Sequence, residues 1–305
     1  MTLAWVTASA PAKINLHLGV GPVRPDGYHP LATVYQAIGL LDEVTVAPAP
    51  TYSVTVTGNP RLTLTDVPLD ESNIAVRAAR LLAEHAGVHG AVSIRIDKGI
   101  PVAGGMAGGS ADAAATLVSC DALWGLAYPR EVLMELAGTL GSDVPFALAG
   151  GTAVGSGRGE LVAPAMAQGD YWWVVVESPD GLSTPAVYAE FDALHAGSPV
   201  PDPTIPEDLM ESLRNSDLQG VADAMGNDLE PAALRLRPEL GEVLAAGLAA
   251  GALGSLLSGS GPSCLFLCED KEHAVAVVAA LRDAGLGPVS MARGPVGGAN
   301  VERTG

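Results

Sequence analysis

Residues 101–115 read PVAGGMAGGSADAAA, and no other segment of the 305-residue chain restricts its fold as tightly. Gly104, Gly105, Gly108 and Gly109 let the backbone take close turns that a Cβ would block. Ser110 and the Ala-rich run to Trp124 then predict a strong helix. Such a coil aims successive N–H groups at one spot, and a helix start adds about half a positive charge there. Two readings follow: a cradle for phosphate, or a strand-to-helix turn without a ligand. Glycine at this density, directly before a helix, favours phosphate. Ser110 either caps the helix or turns its hydroxyl to phosphate or Mg²⁺. The segment is not a Walker A loop, because no G-x-x-x-x-G-K-[ST] occurs in the chain.

Two further segments and one acidic residue carry candidate chemistry. In KINLHLGV (13–20), Ile14, Leu16, Leu18 and Val20 alternate with Lys13, Asn15 and His17, the pattern of a strand with one polar face. Lys13 and Asn15 share that face and can point into one cleft, although a lone lysine, taken by itself, is more often a solvated surface residue. Asp26-Gly27-Tyr28-His29 follows as a turn. In GSLLSGSGPSC (254–264), Ser258, Gly259, Ser260 and Gly261 form a polar turn between apolar flanks, either a second nest of N–H groups or a tight hairpin. Asp143, in LGSDVPFAL, reads as a helix cap or a functional carboxylate, with the cap slightly favoured.

Around these segments an apolar run spans 31–41, and strands are expected over 52–57, 91–97, 171–177, 263–268 and 288–292. Helices are expected from Ser72-Asn73 to Ala86 and over 110–124, 130–139, 207–214, 218–225, 239–250 and 271–284. GGTAVGSGRG (150–159) reads as a turn region, and a boundary there divides the chain into 1–160 and 161–305. The proline-rich stretch 196–206 reads as a loop, and Trp172-Trp173 as strand packing. Strands and helices in irregular order predict an α+β fold.

Sixteen Lys+Arg against 34 Asp+Glu leave a formal charge of −18, with no cluster of basic residues to hold a phosphate backbone, so no nucleic-acid partner is expected. A small anionic substrate remains compatible with a locally positive site. No apolar stretch approaches the roughly 20 residues of a membrane span. The nearest, 244–257, is broken by Gly247, Gly251 and Gly254 and reads as a helix running into a strand. The N-terminus does not read as a signal peptide. Cys120, Cys264 and Cys268 are few and odd in number, which fits reduced thiols in a cytoplasmic protein, the latter two as core. His85 and His89 are spaced for one helix face, but flanking glycines and the lack of a third ligand argue against metal.

In this order the segments resemble the GHMP kinase superfamily. PAKINLHL followed by RPDGYH is most similar to the branch that phosphorylates cytidine diphosphate methylerythritol in the non-mevalonate route to isoprenoid precursors. SNIAVRAARLL, GSDVPF, STPAVY and LSGSGPS also fit, and 195–230 fits least. The resemblance implies two domains, the first like the second domain of ribosomal protein S5 and the second ferredoxin-like. It implies a cytoplasmic ATP-dependent kinase of a small-molecule alcohol, monomer or homodimer, using Mg²⁺ whose protein ligands it does not name. ATP would lie on Pro101, Gly104, Gly105, Met106, Ala107, Gly108, Gly109, Ser110 and Ala111, its adenine near Asn73 and Lys98. Substrate would meet Asn15, Thr184, Ser258, Gly259, Ser260 and Gly261, with cytosine against Tyr28, His29 and Tyr188. Asp143 would take the proton of the alcohol, with Lys13 beside it. The usual loop of the family is G-L-G-G-G-S-S, so Ala107 stands for a glycine and Ala111 for a serine, which removes one hydroxyl. A homoserine- or mevalonate-type kinase, or a silent ATP-binding regulator of the same fold, are the rival readings. Retention of both Lys13 and Asp143 argues against the regulator.

Overall fold

Two long strands, β1 (Val6–Val20) and β2 (Leu31–Ala49), organise the chain. The computed structural model describes residues 3–102, 104–178 and 180–305. Next come β3 (Ser53–Gly58), α1 (Ile74–Ala86), β4 (Ala91–Lys98), α2 (Gly108–Trp124), α3 (Arg130–Leu140), α4 (Val144–Ala149), β5 (Thr152–Ser156) and β6 (Leu161–Pro164). The remainder holds β7 (Tyr171–Val176), α5 (Thr184–Leu194), α6 (Glu207–Asn215), α7 (Leu218–Ala224), β8 (Gly226–Asn227) and α8 (Glu230–Leu236). It closes with α9 (Glu239–Ala249), β9 (Gly254–Leu257), β10 (Cys264–Cys268), α10 (Lys271–Asp283), β11 (Val289–Gly294) and β12 (Asn300–Thr304).

The first sheet has the order β12-β1-β2-β4-β3, with the β5–β6 hairpin on β2 and β8 beside β1. It therefore takes strands from either side of residue 160. The second sheet, β11-β7-β10-β9, is antiparallel between neighbours. β10 and β11 flank β7 in the same direction and are joined by α10, the split β-α-β arrangement of a ferredoxin-like unit. The fold is α+β, as the order of elements suggested.

Burial on both faces explains the strands that lack alternation. In β7, Tyr171, Trp173 and Val175 enter the core shared with the first sheet, while Val174 and Val176 enter a second core under α9 and α10. A run such as YWWVVV is what a doubly covered strand needs. Trp173 is strand packing, as expected, and its indole N–H donates to buried Gln36 Oε1 at 2.8 Å. β1 also differs from the half-exposed strand read from 13–20. It starts at Val6, because Ala8, Ala10 and Ala12 pack into the core without the large residues that signal a strand. A register shift between Asn15 and His17 lets Ile14 and Leu16 enter one core, and Leu18 and Val20 the other.

The stretch 150–159 is not simply a turn. Thr152, Ala153, Val154 and Gly155 pair with β2, and the turn proper begins at Gly157. Helices α5 and α8 are short and were not among the expected helices, and α4 was implied only by the cap reading of Asp143; all three carry a proline in their first turn. Asn73 does begin α1, its side chain accepting from the Ala75 N–H, and Gly87 ends it in the left-handed region. α2 begins two residues earlier than expected and is buried nearly all round, which its alanines permit. None of the helices of the described residues is long and apolar enough to cross a membrane.

Candidate active site

The four loop glycines divide into two pairs. A Cβ on Gly104 would stand 2.7 Å from Ser263 Oγ, and one on Gly105 (φ +75°) 2.2 Å from the Ser258 carbonyl oxygen. These two glycines let the loop press against the turn at 258–261, and Ser258 Oγ donates to the Gly105 carbonyl at 3.0 Å. Ser258 is buried, so it staples two turns together rather than facing a substrate. Gly108 and Gly109 open α2, and a Cβ on Gly109 would meet only Ile74, at 3.7 Å. Between the pairs, Ala107 takes φ +58° at the N-cap, the conformation for which glycine is the usual residue. Ser110 lies inside the first turn of α2 and is not its cap. Met106 and Ala111 are buried in the core, so they support the loop from behind.

A cleft opens along the start of α2, lined by Asp66, Val67, Pro68, Asn73, Lys98 and Asp112 together with Pro101, Gly108 and Gly109. The polar groups of its two sequence-predicted side chains are already engaged. Asn73 caps α1 through its Oδ1 and donates Nδ2 to the Pro68 carbonyl at 2.7 Å, which holds the 66–68 wall in place. The Lys98 ammonium binds both Asp42 and Asp112, the latter at 2.8 Å. Asp42 also accepts the N–H groups of Gly99 and Ile100 at 2.8 and 2.9 Å. Burial pushes the Asp112 carboxyl well above the usual carboxylate range, against the pull of Lys98, and its Oδ1 has no hydrogen-bond partner. Burial also works against the Lys98 ammonium, but the two carboxylates outweigh it and hold it above its ordinary value. Neither Asp112 nor the 66–68 wall stood out in the sequence.

A second cleft, lined by Gly105 and Ala107 of the same loop, holds Lys13, Asn15, Tyr35, Ser142, Asp143, Gly259 and Ser260. Lys13 Nζ lies 3.4 Å from Asp143 Oδ2, donates to Asn15 Oδ1 at 3.0 Å and sits 5.2 Å from the Tyr35 ring centroid. Asn15 in turn donates to Thr33 at 2.7 Å, which fixes its orientation. Asp143 occupies the N-cap position of α4, yet its side chain makes no capping bond and is 31% exposed, turned to the cleft. The cap reading favoured from sequence is thereby corrected: the position is that of a cap, but the carboxylate pairs with Lys13 instead of capping the helix. Burial and then the Asp143 carboxylate push the phenol of Tyr35 well up, and that of Tyr188 up to about 12, so both remain neutral donors.

The second cleft continues into a third space of about 500 Å³, lined by Gly27, Tyr28, His29, Pro185, Ala189 and Asp192, with Leu31, Ser142, Arg158, Thr184 and Tyr188 shared between the two. His29 is buried, one ring nitrogen on the Gly21 carbonyl oxygen at 2.8 Å and the other 3.7 Å from Asp192. Its ring packs against Tyr188, with centroids 5.1 Å apart, and edge-on to Phe191. Tyr28, 53% exposed, forms the rim with the Arg158 guanidinium 4.9 Å from its ring. Thr184 and Ser260 are joined at 2.8 Å and close the floor, whereas Gly261 does not line the cleft. Arg158 and Tyr35 were missed by the sequence reading. Arg158 lay in a presumed turn, and Tyr35 in an apolar run.

Comparison with known proteins gives the family and the fold. Residues 73–151 match the N terminal domain of the GHMP kinases, and residues 209–286 their C terminal domain. The chain is 55% identical over 293 residues to a 4-diphosphocytidyl-2-C-methyl-D-erythritol kinase of Nocardioides sp., covering 96% of this chain and 98% of the relative. It is 54% identical to the kinase of the same name from Thermobifida fusca, covering 97% and 98%. Among solved structures, a 4-(cytidine 5'-diphospho)-2C-methyl-D-erythritol kinase superposes with TM-score 0.76 at 35% identity, covering 95% of this chain and 100% of that one. A homoserine kinase from Cytophaga hutchinsonii reaches TM-score 0.76 at 20% identity over 99% and 98% of the two chains, a likeness of fold.

Proposed function

The chain belongs to the 4-diphosphocytidyl-2-C-methyl-D-erythritol kinase family of the GHMP kinases, and from that premise we propose that it transfers the γ-phosphoryl group of ATP to the 2-hydroxyl of 4-diphosphocytidyl-2-C-methyl-D-erythritol. The observation that carries this reading is the adjacency of two clefts along one loop, Ala107 lining one and Gly108 the other. The free N–H groups at the start of α2 lie on one side, and the Lys13–Asp143 pair lies on the other. ATP would rest its phosphates on Gly108, Gly109 and Ser110, where the helix dipole and unpaired amides favour anions. Its base would lie between the 66–68 wall and Pro101.

The residues present also suit Mg²⁺. The Ser110 hydroxyl at the helix start is a hard oxygen donor of the type that ion takes, and the triphosphate supplies others. When bound there, Mg²⁺ neutralises charge on the phosphates.

Asp143 accepts the proton of the substrate hydroxyl as the oxygen–phosphorus bond forms and the bond to the β-phosphate oxygen breaks, leaving ADP and a phosphate monoester. A positioned base of this kind contributes roughly 10²–10⁴ in rate. Lys13 supplies positive charge at the point where negative charge gathers on the phosphoryl group, and Asn15 holds Lys13 in line. Tyr35 and Tyr188, both neutral, close the cleft against water; the Tyr35 hydroxyl donates to the Gly159 carbonyl at 3.5 Å, and Tyr188 offers its hydroxyl to the polyol. Cytosine would enter the third space, between the Tyr28 rim and the His29–Tyr188 stack, where aromatic faces contribute roughly 1–3 kcal/mol per base.

The test is mass detection of product after incubation with Mg-ATP and each of three alcohols: the cytidylated substrate, homoserine and mevalonate. Phosphorylation of the first alone is expected. Turnover of another alcohol in its place would move the enzyme to a different branch of the superfamily, and no turnover with any would leave the regulator reading.

A further inference from the structure

The acceptor cleft and the cytosine space share one wall, and its charged member is Arg158. We propose that Arg158 grips the diphosphate bridge of the cytidylated substrate and so sets specificity for a diphosphate-linked alcohol, an inference that rests on the functional reading above. A ligand with its alcohol at Asp143 and its base at His29 must thread its linker past this wall. That linker carries about two negative charges, and it enters a protein of net charge −18 beside the carboxylates of Asp143 and Asp192. Among the described residues lining these two spaces, the lysines and arginines are Lys13 and Arg158. Lys13 is matched to Asp143 and Asn15.

Arg158 has spare donor capacity. The Glu160 carboxylate stands 3.8 Å from its Nε, an ion pair beyond hydrogen-bond reach. Glu160 instead accepts the backbone N–H of Arg158 at 2.6 Å, which shapes the turn. That turn is anchored on β2: Leu31 N–H donates to the Gly157 carbonyl at 2.8 Å, and a Cβ on Gly159 (φ +102°) would strike the Tyr35 hydroxyl at 2.3 Å. The guanidinium lies over the Tyr28 ring at 4.9 Å, so it is oriented before any ligand arrives. A planar fork of donors held in place suits two phosphate oxygens better than a point charge would.

The test is a cycle of ligands and side chains, read by calorimetry on the full chain with the nucleotide cleft saturated by ADP. Cytidine and cytidine 5'-diphosphate are titrated into the parent protein, Arg158→Gln and Arg158→Lys. The parent should prefer the diphosphate. Arg158→Gln should weaken the diphosphate at least about tenfold while cytidine changes by less than about twofold, with Arg158→Lys between them. In turnover, KM for the cytidylated alcohol should rise while KM for ATP holds. An unchanged preference for diphosphate in Arg158→Gln overturns the role of Arg158 and leaves the cytidine site standing. Loss of cytidine and diphosphate binding to the same degree overturns it too, since Arg158 would then act through the Tyr28 rim alone. A parent protein that binds neither ligand removes the cytidine site, and this inference with it.

Discussion

The two clefts that adjoin the 104–109 loop are built on opposite plans. Along the cleft proposed for the nucleotide, the two side chains expected from sequence are already spent: Asn73 caps a helix, and Lys98 is shared by two buried carboxylates. What remains for phosphates is the backbone at the start of α2, with the Ser110 hydroxyl. In the acceptor cleft the backbone is spent in β1 and β2, and what faces the ligand is side chain, namely Asp143, Lys13, Arg158 and two neutral phenols. A triphosphate offers the same anionic oxygens to any enzyme, so fixed amides and a helix dipole suffice for it. Recognising one alcohol among many requires groups that differ from protein to protein.

The contrast is most open to attack at Asp143. Asp143→Asn should lower kcat by at least about a hundredfold while KM for ATP moves less than about twofold, and Lys13→Met should follow the same pattern. Steady-state kinetics with both substrates decides it, and near-normal turnover of Asp143→Asn would return that carboxylate to its cap position. The glycines sharpen the comparison from the other side. Gly105→Ala should cost about 3 kcal/mol or more in denaturant unfolding, because its Cβ meets backbone and its φ is +75°. Gly109→Ala, whose Cβ would make only an ordinary contact with Ile74 at 3.7 Å, should fold within about 1 kcal/mol of the parent and raise only KM for ATP.

Asp112→Asn probes whether the charges under the nucleotide cleft are balanced. The folded state raises the Asp112 carboxyl and so binds more protons there than the unfolded chain. Stability from this group is therefore present at acid pH and falls as pH climbs from the normal carboxylate range toward the raised value. The amide removes that slope and leaves Lys98 paired with Asp42, so the variant should melt above the parent at pH 8, with the gap closing toward pH 4. A variant that melts lower at both pH values would mean that Lys98 needs both carboxylates. The smallest effect belongs to the seam: Ala107→Gly relieves a left-handed alanine at some cost in chain entropy, for a net gain of a few tenths to about 1 kcal/mol in chemical denaturation.

The parts of the site that were legible in advance are those that lie close together in sequence. Residues 104–110 announce a tight turn into a helix because glycine and the following alanines act over a few residues. Asn73 was readable as the start of α1, for the same reason. Lys13 and Asp143 stood out locally as candidates, but their roles, and the cytosine contacts of Tyr28, His29 and Tyr188, came from resemblance to a family; the structure brings the five into two adjoining spaces. Ser258 and Gly261 were carried along with their motif, but one is a staple and the other lies off the cleft. Arg158 was hidden because the hairpin that aims it pairs with β2, more than a hundred residues earlier.

From composition and pattern alone follow an acidic α+β chain, a glycine turn before an alanine helix, and a set of apolar strands. Those properties depend on residues a few positions apart, whose steric and solvation preferences act wherever the chain goes. Tertiary structure alone decided that the last strand returns to pair with the first, that Lys98 is neutralised from two sides, and that a carboxylate at a helix start turns to a lysine 130 positions away. Distance along the chain carries no information about such pairings, because they form only when burial of two cores leaves one arrangement of the sheets.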